Sequence, residues 1–407
     1  MTPLSLASAA AVIERAGFGP CPYGVGLELE WFVTDETGRA VTDVARIRTA
    51  LDAAGPLPAG SRVTFEPGGQ VEISTACADS GPEALVAAGR DAEAVRSRLA
   101  RVGLRCVAVG VDAGGQRPRV LDEPRYRAMA DYFARRGCAG ATMMRNTASL
   151  QVNVGFADDV DAHWEFAHDL APVLAALFAN SPLLDGRPTG WQSSRLATWA
   201  ALDPGRTAPV ARTGTPARDA WTAYALDAPV MLVQHDTECT IPDPAPTLRE
   251  WIGTERGIPF TVADVEYHLT TLFPPVRPRG WIELRVMDAL GEPWWPVAAA
   301  VACVALGDDT TRARLTPVLA GSGDRTLTAA WHGVHHPAIA ADGRAVLDAV
   351  GDALGRCGYP AEVADGLGAY RDRYTDRGRA PADDLLDAWT ATGRTAPEPE
   401  PVPVGTR

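Results

Sequence analysis

Gly24-Val25-Gly26-Leu27-Glu28-Leu29-Glu30-Trp31-Phe32 is the stretch around which the rest of the chain arranges itself. Leu27, Leu29 and Trp31 alternate with Glu28 and Glu30 at period two, the spacing of a β-strand with one apolar face. Successive side chains of a pleated strand point to opposite faces, so the two carboxylates share one face and the apolar residues the other. The pattern returns three times: Gln70 and Glu72 flank Val71, Gln151 and Asn153 flank Val152, and Glu283 and Arg285 flank Leu284. Ile73, Leu150, Val154, Ile282 and Val286 supply the apolar neighbours. A solvated outer face would account for one such strand. Several of them describe an antiparallel sheet with helices on its apolar side and a polar cup on the other. Oxygen ligands on a rigid sheet suit hard cations such as Mg²⁺.

Two further acids are drawn into this face by a turn. Arg62–Glu66 reads as a strand entering Pro67-Gly68-Gly69, and Gln70–Thr75 as the strand leaving it, so Glu66 and Glu72 stand on either side of a sharp reversal and converge. Glu28, Glu30, Glu66, Glu72 and Glu283 thus form a set of five acids. Either they are exposed and balanced by the surrounding arginines, or they hold metal ions, since burying them together without a cation is too repulsive. Arg285 shares the face of Glu283 and serves as an in-strand ion pair or as a bidentate phosphate contact. Arg195, within Gly190-Trp191-Gln192-Ser193-Ser194-Arg195, suits a substrate carboxylate. Arg125, Arg145 and Arg277 are read as structural.

Composition removes several classes of function. The 407 residues carry a net charge of −13, which argues against nucleic acid or an anionic membrane surface as partner. All 38 basic residues are arginine. Without lysine there is no Walker-A lysine, no pyridoxal-phosphate Schiff base and no lysine general base, so phosphate handling falls to arginine, backbone amides and metal. The seven histidines show no H-E-x-x-H or triad spacing, His268 reads as a packing residue, and no G-x-S-x-G is present. Gly24-Val25-Gly26 lacks a third glycine and opens a strand, which excludes a dinucleotide loop. The seven cysteines are scattered, without C-x-x-C, as reduced thiols in the cytoplasm would be. Glu14 and Arg15 interrupt the N-terminal apolar run, so no signal peptide is expected. Val297–Leu306, the longest apolar stretch, is too short to span a bilayer. A soluble, cytoplasmic protein is the expectation.

The expected architecture is α+β, with one catalytic domain over residues 1–390. Its strands lie within 24–290 and its helical C-terminal part spans 291–390. The Pro/Glu-rich tail 391–407 is expected to be disordered. Helices are expected over 4–17, 44–54, 83–102, 125–136, from Asp159 or Asp161 to about 180, and over 262–272. The run Met143-Met144-Arg145-Asn146-Thr147-Ala148 should lead into a strand over Ser149–Phe156. Residues 183–246, rich in Pro, Gly and Asp, should form substrate-covering loops.

Several blocks carry a family resemblance. They are Gly26-Leu27-Glu28-Leu29-Glu30, Glu66-Pro67-Gly68-Gly69-Gln70-Val71-Glu72-Ile73-Ser74, Arg125-Tyr126-Arg127-Ala128-Met129, and Met143-Met144 with Thr147 and Gln151-Val152-Asn153. Phe178-Ala179-Asn180-Ser181-Pro182, Gly190 through Trp199, and His268 through Pro274 to Glu283-Leu284-Arg285 complete the set. Through them the chain resembles the glutamate–cysteine ligases of the plant and proteobacterial type, and within these the actinobacterial enzymes of ergothioneine biosynthesis. The resemblance implies a glutamine-synthetase-like catalytic fold, an antiparallel sheet cup backed by helices. It implies ATP-dependent joining of the L-glutamate γ-carboxylate to the amine of L-cysteine through a γ-glutamyl phosphate, giving γ-glutamylcysteine. By motif position Glu28, Glu30, Glu66, Glu72 and Glu283 fall at metal acids for Mg²⁺. Arg285, with Glu28, falls at the catalytic centre, and Arg195 at a substrate contact. Thr147, Gln151 and Asn153 lie in the matching blocks and are expected to contact substrate. Position 151 departs from related bacterial enzymes, which carry a histidine ligand there. The cysteines of plant-type redox control have no counterparts.

Transferring the γ-phosphoryl group of ATP to a carboxylate needs charge neutralisation more than covalent help, so a chain without lysine or a triad can perform it. Two other readings stand beside this one. The first is a carboxylate–amine ligase of the same fold with a different amine acceptor. The second is an inactive relative serving as a binding module, against which stands the presence of all five acids.

Overall fold

The alternating stretch forms β1 (Val25–Asp35), and the hairpin after it forms β2 (Arg62–Phe65) and β3 (Val71–Ser74). With β4 (Leu104–Val107), β5 (Ser149–Gly155), β6 (Val276–Pro278) and β7 (Trp281–Asp288) they build a seven-stranded antiparallel sheet. This is a computed structural model, and it describes residues 4–20, 24–212, 214–235, 237–253 and 260–393. The strand order is β6-β7-β5-β1-β3-β2, with β4 pairing the far end of β1. Register sets the rows of the cup: Glu30 lies opposite Glu72, Glu28 opposite Gln151, and Glu283 opposite Asn153. A one-residue slip would turn every one of these side chains into the core, where a lone charge is untenable.

The apolar face is covered by helices, as the alternation requires. Gly81–Ala100 lies against β1 and β4, Val160–Leu177 against β7, and Trp294–Gly307 against β5. Leu27, Leu29, Val71, Ile73, Val152 and Leu284 are all buried beneath them. Each such side chain contributes about 1.5–3 kcal/mol of transfer free energy. Val297 through Leu306 is buried on every side, which is why its sequence shows no polar stripe. Further helices, the last being Pro381–Thr392, complete the C-terminal part. Ala391 and Thr392 therefore belong to a helix, and residues 394–407 of the Pro/Glu-rich segment lie outside the described residues. Among the described residues no cysteine joins a disulfide and no helix is long and apolar enough to cross a membrane.

Two local readings change. Ala139–Asn146 is a helix absent from the expected set, and the run from Met143 leads from it into β5. Its Met143 and Met144 join Met129, Tyr132 and Phe133 in a second, smaller core. That burial outweighs the flanking glycines. Among the described residues of 183–246 there are three helices, Ser194–Ala200, Pro204–Thr207 and Ala217–Asp227, and two short strand pairs besides loops. The first two are shorter than the window over which helical periodicity shows.

Candidate active site

The polar face of the sheet opens into a cavity of about 250 Å³, onto which Glu28, Glu30, Glu66 and Glu72 all face. β1 delivers the first two and the β2–β3 hairpin the others. The hairpin turns as its glycines demand: Gly69 adopts φ +84° and donates its N–H to the Glu66 carbonyl at 2.8 Å. A Cβ on Gly68 would lie 2.1 Å from the Arg145 carbonyl oxygen, so only glycine lets this turn approach so closely.

The four acids differ in how they are held. Glu30 accepts from Ser149 Oγ at 2.8 Å, Ser149 N at 3.0 Å and Gln151 Nε2 at 3.2 Å. Glu28 accepts from Asn153 Nδ2 at 3.2 Å, and Glu72 from Thr64 Oγ1 at 2.7 Å and Ser74 Oγ at 3.0 Å. Burial, followed by repulsion from Glu283 and Glu72, pushes Glu28 up to about 7. Burial and Glu72 push Glu30 up to about 7, and burial with Glu72 and Glu30 sets Glu66 well above the carboxylate range.

Glu283 is placed apart from these four. It is buried at 1% exposure and its two oxygens are taken up by Arg277, with Nε at 2.5 Å and Nη2 at 3.0 Å. Arg285 Nη1 stands at 3.3 Å and Arg279 Nη1 at 3.5 Å. Burial opposes ionisation here, but Arg277 and then Arg285 overcome it and hold Glu283 down at about 2. A cation at Glu283 would have to compete with this guanidinium pair.

Arg285 faces the cavity, donates from Nη1 to Gln151 Oε1 at 2.6 Å, and lies 5.8 Å from the Trp199 ring centre. Gln151 therefore bridges Glu30 and Arg285 with its two amide ends. Arg195 also lines the cavity. Thr147 is at the lining, but its hydroxyl donates back to the Met143 carbonyl at 2.7 Å. Asn153 sits off the lining, between Glu28 and the Trp281 indole, which donates to its Oδ1 at 3.0 Å. Of the arginines read as structural, Arg277 and Arg125 reach the lining; Arg125 donates to Thr270 Oγ1 at 2.8 Å and to its carbonyl at 2.9 Å.

The chemistry of this donor set fits a hard divalent cation. No protein donor among the described residues reaches the Glu66 carboxylate. Gln70 Oε1, at the same lining, is buried without a partner while its amide nitrogen donates to Thr147 O at 2.9 Å. Glu28, Glu30 and Glu66, pushed up by burial and then by neighbouring acids, share this cavity with the orphaned Gln70 oxygen and form no salt bridge among the described residues. As the side chains stand, no three of His, Cys, Asp and Glu among the described residues converge closely enough to grip an ion, so binding would draw Glu28, Glu30, Glu66 and Glu72 together.

Reading by strand alternation missed part of the lining. Tyr126 and the Trp199–Phe273 pair, with ring centres 5.3 Å apart, come from helix ends and a loop with no strand alternation, whereas Ser149 opens β5. Gln70 and Ser149 were in reach of the alternation, each two residues from an assigned position.

Comparison with known proteins places the chain in a family. The model of glutamate–cysteine ligase family 2 (GCS2) matches residues 24–400. The chain is 39% identical over 369 residues to glutamate–cysteine ligase EgtA of Mycobacterium tuberculosis, covering 85% of this chain and 81% of that one. It is 36% identical over 409 residues to glutamate–cysteine ligase EgtA of Mycolicibacterium smegmatis, covering 96% and 93%. Among solved structures, the glutamate–cysteine ligase of Francisella tularensis in complex with AMP is similar in fold, with a TM-score of 0.53 at 12% identity over 92% of this chain and 86% of that one. The α+β sheet cup is accordingly glutamine-synthetase-like.

Proposed function

The chain belongs to glutamate–cysteine ligase family 2, and from that premise we propose that it joins the γ-carboxylate of L-glutamate to the amine of L-cysteine at the expense of ATP, as a step of ergothioneine biosynthesis. The observation that carries the reading is the juxtaposition of four carboxyl groups, none in a salt bridge among the described residues, with the guanidinium groups of Arg285 and Arg195 around one cavity. Carboxylates of this kind hold nucleotide phosphates only through cations, while arginine contacts anions directly.

Glu28, Glu30, Glu66 and Glu72 would hold Mg²⁺, which when bound neutralises charge on the transferring phosphoryl group. The glutamate γ-carboxylate oxygen attacks the γ-phosphorus of ATP, the bond to the β-phosphate oxygen breaks, and ADP leaves. Arg285 stabilises the charge that spreads over the phosphoryl oxygens. Its orientation is fixed by Gln151 and Glu283, so little reorganisation is required. Arg195 holds a carboxylate of glutamate and so sets which end of the substrate faces ATP. The cysteine α-amine then attacks the acyl carbon, loses a proton, and expels inorganic phosphate.

The test is phosphate release with glutamate and ATP fixed and the amine varied, with the product's linkage read by mass spectrometry. Cysteine should be the best acceptor and γ-glutamylcysteine the product. Discrimination against close analogues should be about 10–200-fold, the range that small apolar differences allow. Cysteine performing no better than alanine, 2-aminobutyrate or ammonia would instead identify a ligase of this fold with another acceptor.

A further inference from the structure

Arg195 stands outside the sheet, on the helix Ser194–Ala200, yet its guanidinium is fixed by the end of β7. We propose that Asp288 is a positioning residue that aims the Arg195 guanidinium at the glutamate carboxylate. This rests on the reading of Arg195 given above.

The Asp288 side chain is 0% exposed and that of Arg195 4%. Asp288 Oδ1 accepts from Arg195 Nε at 2.8 Å and from Ser193 Oγ at 2.9 Å. Its Oδ2 accepts from Asn180 N at 2.8 Å and Ser181 Oγ at 2.7 Å. Gly110 closes the last side, where a Cβ would lie 2.4 Å from Asp288 Cγ, so the carboxylate has no other place to go. The strand supplies the remaining restraints. The pairing of β7 with β5 shifts register between Leu284 and Met287. Around that shift the Arg285 and Met287 carbonyls both accept from Arg195 Nη2, at 3.0 and 2.9 Å. Three of the five guanidinium N–H groups are thereby committed to protein. Nη1 meets no acceptor among the described residues, and Arg195 borders the cavity.

A buried ion pair is a poor device for stability, because desolvating both charges offsets most of their attraction. What Asp288 supplies that an apolar side chain would not is direction. With its charge cancelled locally, Arg195 recognises an anion through the two N–H groups of Nη1, whose direction is fixed, rather than through net charge, which sets where a carboxylate oxygen must lie.

The test is steady-state kinetics on Asp288→Asn, Arg195→Ala and the double variant. Asparagine is isosteric, so it meets no clash with Gly110, but it weakens the charge-assisted bond to Arg195 Nε. Asp288→Asn should raise the KM for glutamate roughly tenfold to a hundredfold, as loss of a bond to a charged group does, and leave the KM for ATP nearly unchanged. In the Arg195→Ala background it should add almost nothing, since it acts through that arginine. Should Asp288→Asn not fold, Gly110→Ala, which displaces the intact carboxylate, must give the same pattern. A lowered melting temperature with unchanged glutamate KM overturns the proposal, as do equal rises in both KM values or full additivity with Arg195→Ala. A glutamate KM unmoved by Arg195→Ala refutes the reading of Arg195 itself. One moved by Arg195→Ala but not by Asp288→Asn refutes only the positioning role.

Discussion

Replacing His268 by glutamine should flatten part of the acid sensitivity of this protein by a calculable amount. His268 is 2% exposed, and its Nε2 donates to the Ala225 carbonyl at 2.9 Å. Its Nδ1 is buried without a partner, so the ring is held neutral. Burial first, and then the nearby Arg206 guanidinium, pull its pKa from 6.5 down to about 3. Because the folded value lies below the unfolded one, the unfolded chain binds the proton more readily. The stabilisation is fully present above 6.5 and is lost as pH falls towards 3. At about 1.36 kcal/mol per unit, acidification from about pH 7.5 to about pH 5 removes roughly 2 kcal/mol through this one ring. His163, held at about 4, and His168, held well below its usual range, act in the same sense. Glu28 and Glu30, pushed up to about 7, act in the opposite one. The parent's profile is therefore a sum, and only its difference from His268→Gln isolates the ring. The assay is urea unfolding of both proteins at the two pH values without Mg²⁺. The parent should lose roughly 2 kcal/mol more than the variant. Parallel losses would mean that His268 is solvated or charged in the folded state.

Glu28→Gln should cut ATP turnover by on the order of a hundredfold or more at saturating Mg²⁺, with no loss of melting temperature, because it relieves repulsion from Glu283 and Glu72 at constant volume. Near-normal turnover would show that the β1 acids do not serve the reaction. Gly68→Ala should destabilise the hairpin by about 1–3 kcal/mol through overpacking and suppress turnover, since the new methyl group meets the Arg145 backbone. A variant unchanged in both melting temperature and activity would contradict the approach of that turn.

Most of the sheet was legible in the sequence because its two faces see different solvents. Alternation of Leu27, Leu29 and Trp31 with Glu28 and Glu30 is a local consequence of the pleat, and the positions of β1, β5 and β7 follow from it. The Glu66–Gln70 turn was legible for a similar reason, since paired glycines between two strand-like runs leave few backbone paths. The helix Ala139–Asn146 and the short helices within 183–246 were hidden because burial, and not periodicity, decides them.

Sequence alone determined which face of the sheet Glu28, Glu30 and Glu72 share, because side-chain direction along a strand needs only parity. Tertiary structure decided what each of them meets there. Glu283 has the parity of a cup acid, but antiparallel pairing sets Arg277 directly across from it, and the guanidinium claims both oxygens. Arg195 was singled out as a carboxylate contact with no hint of Asp288, 93 residues further on. Only the register shift in β7 and the missing Cβ of Gly110 bring those two charges together. Contacts between residues far apart in the chain depend on register and helix placement across the whole sheet, and no window of sequence contains that information.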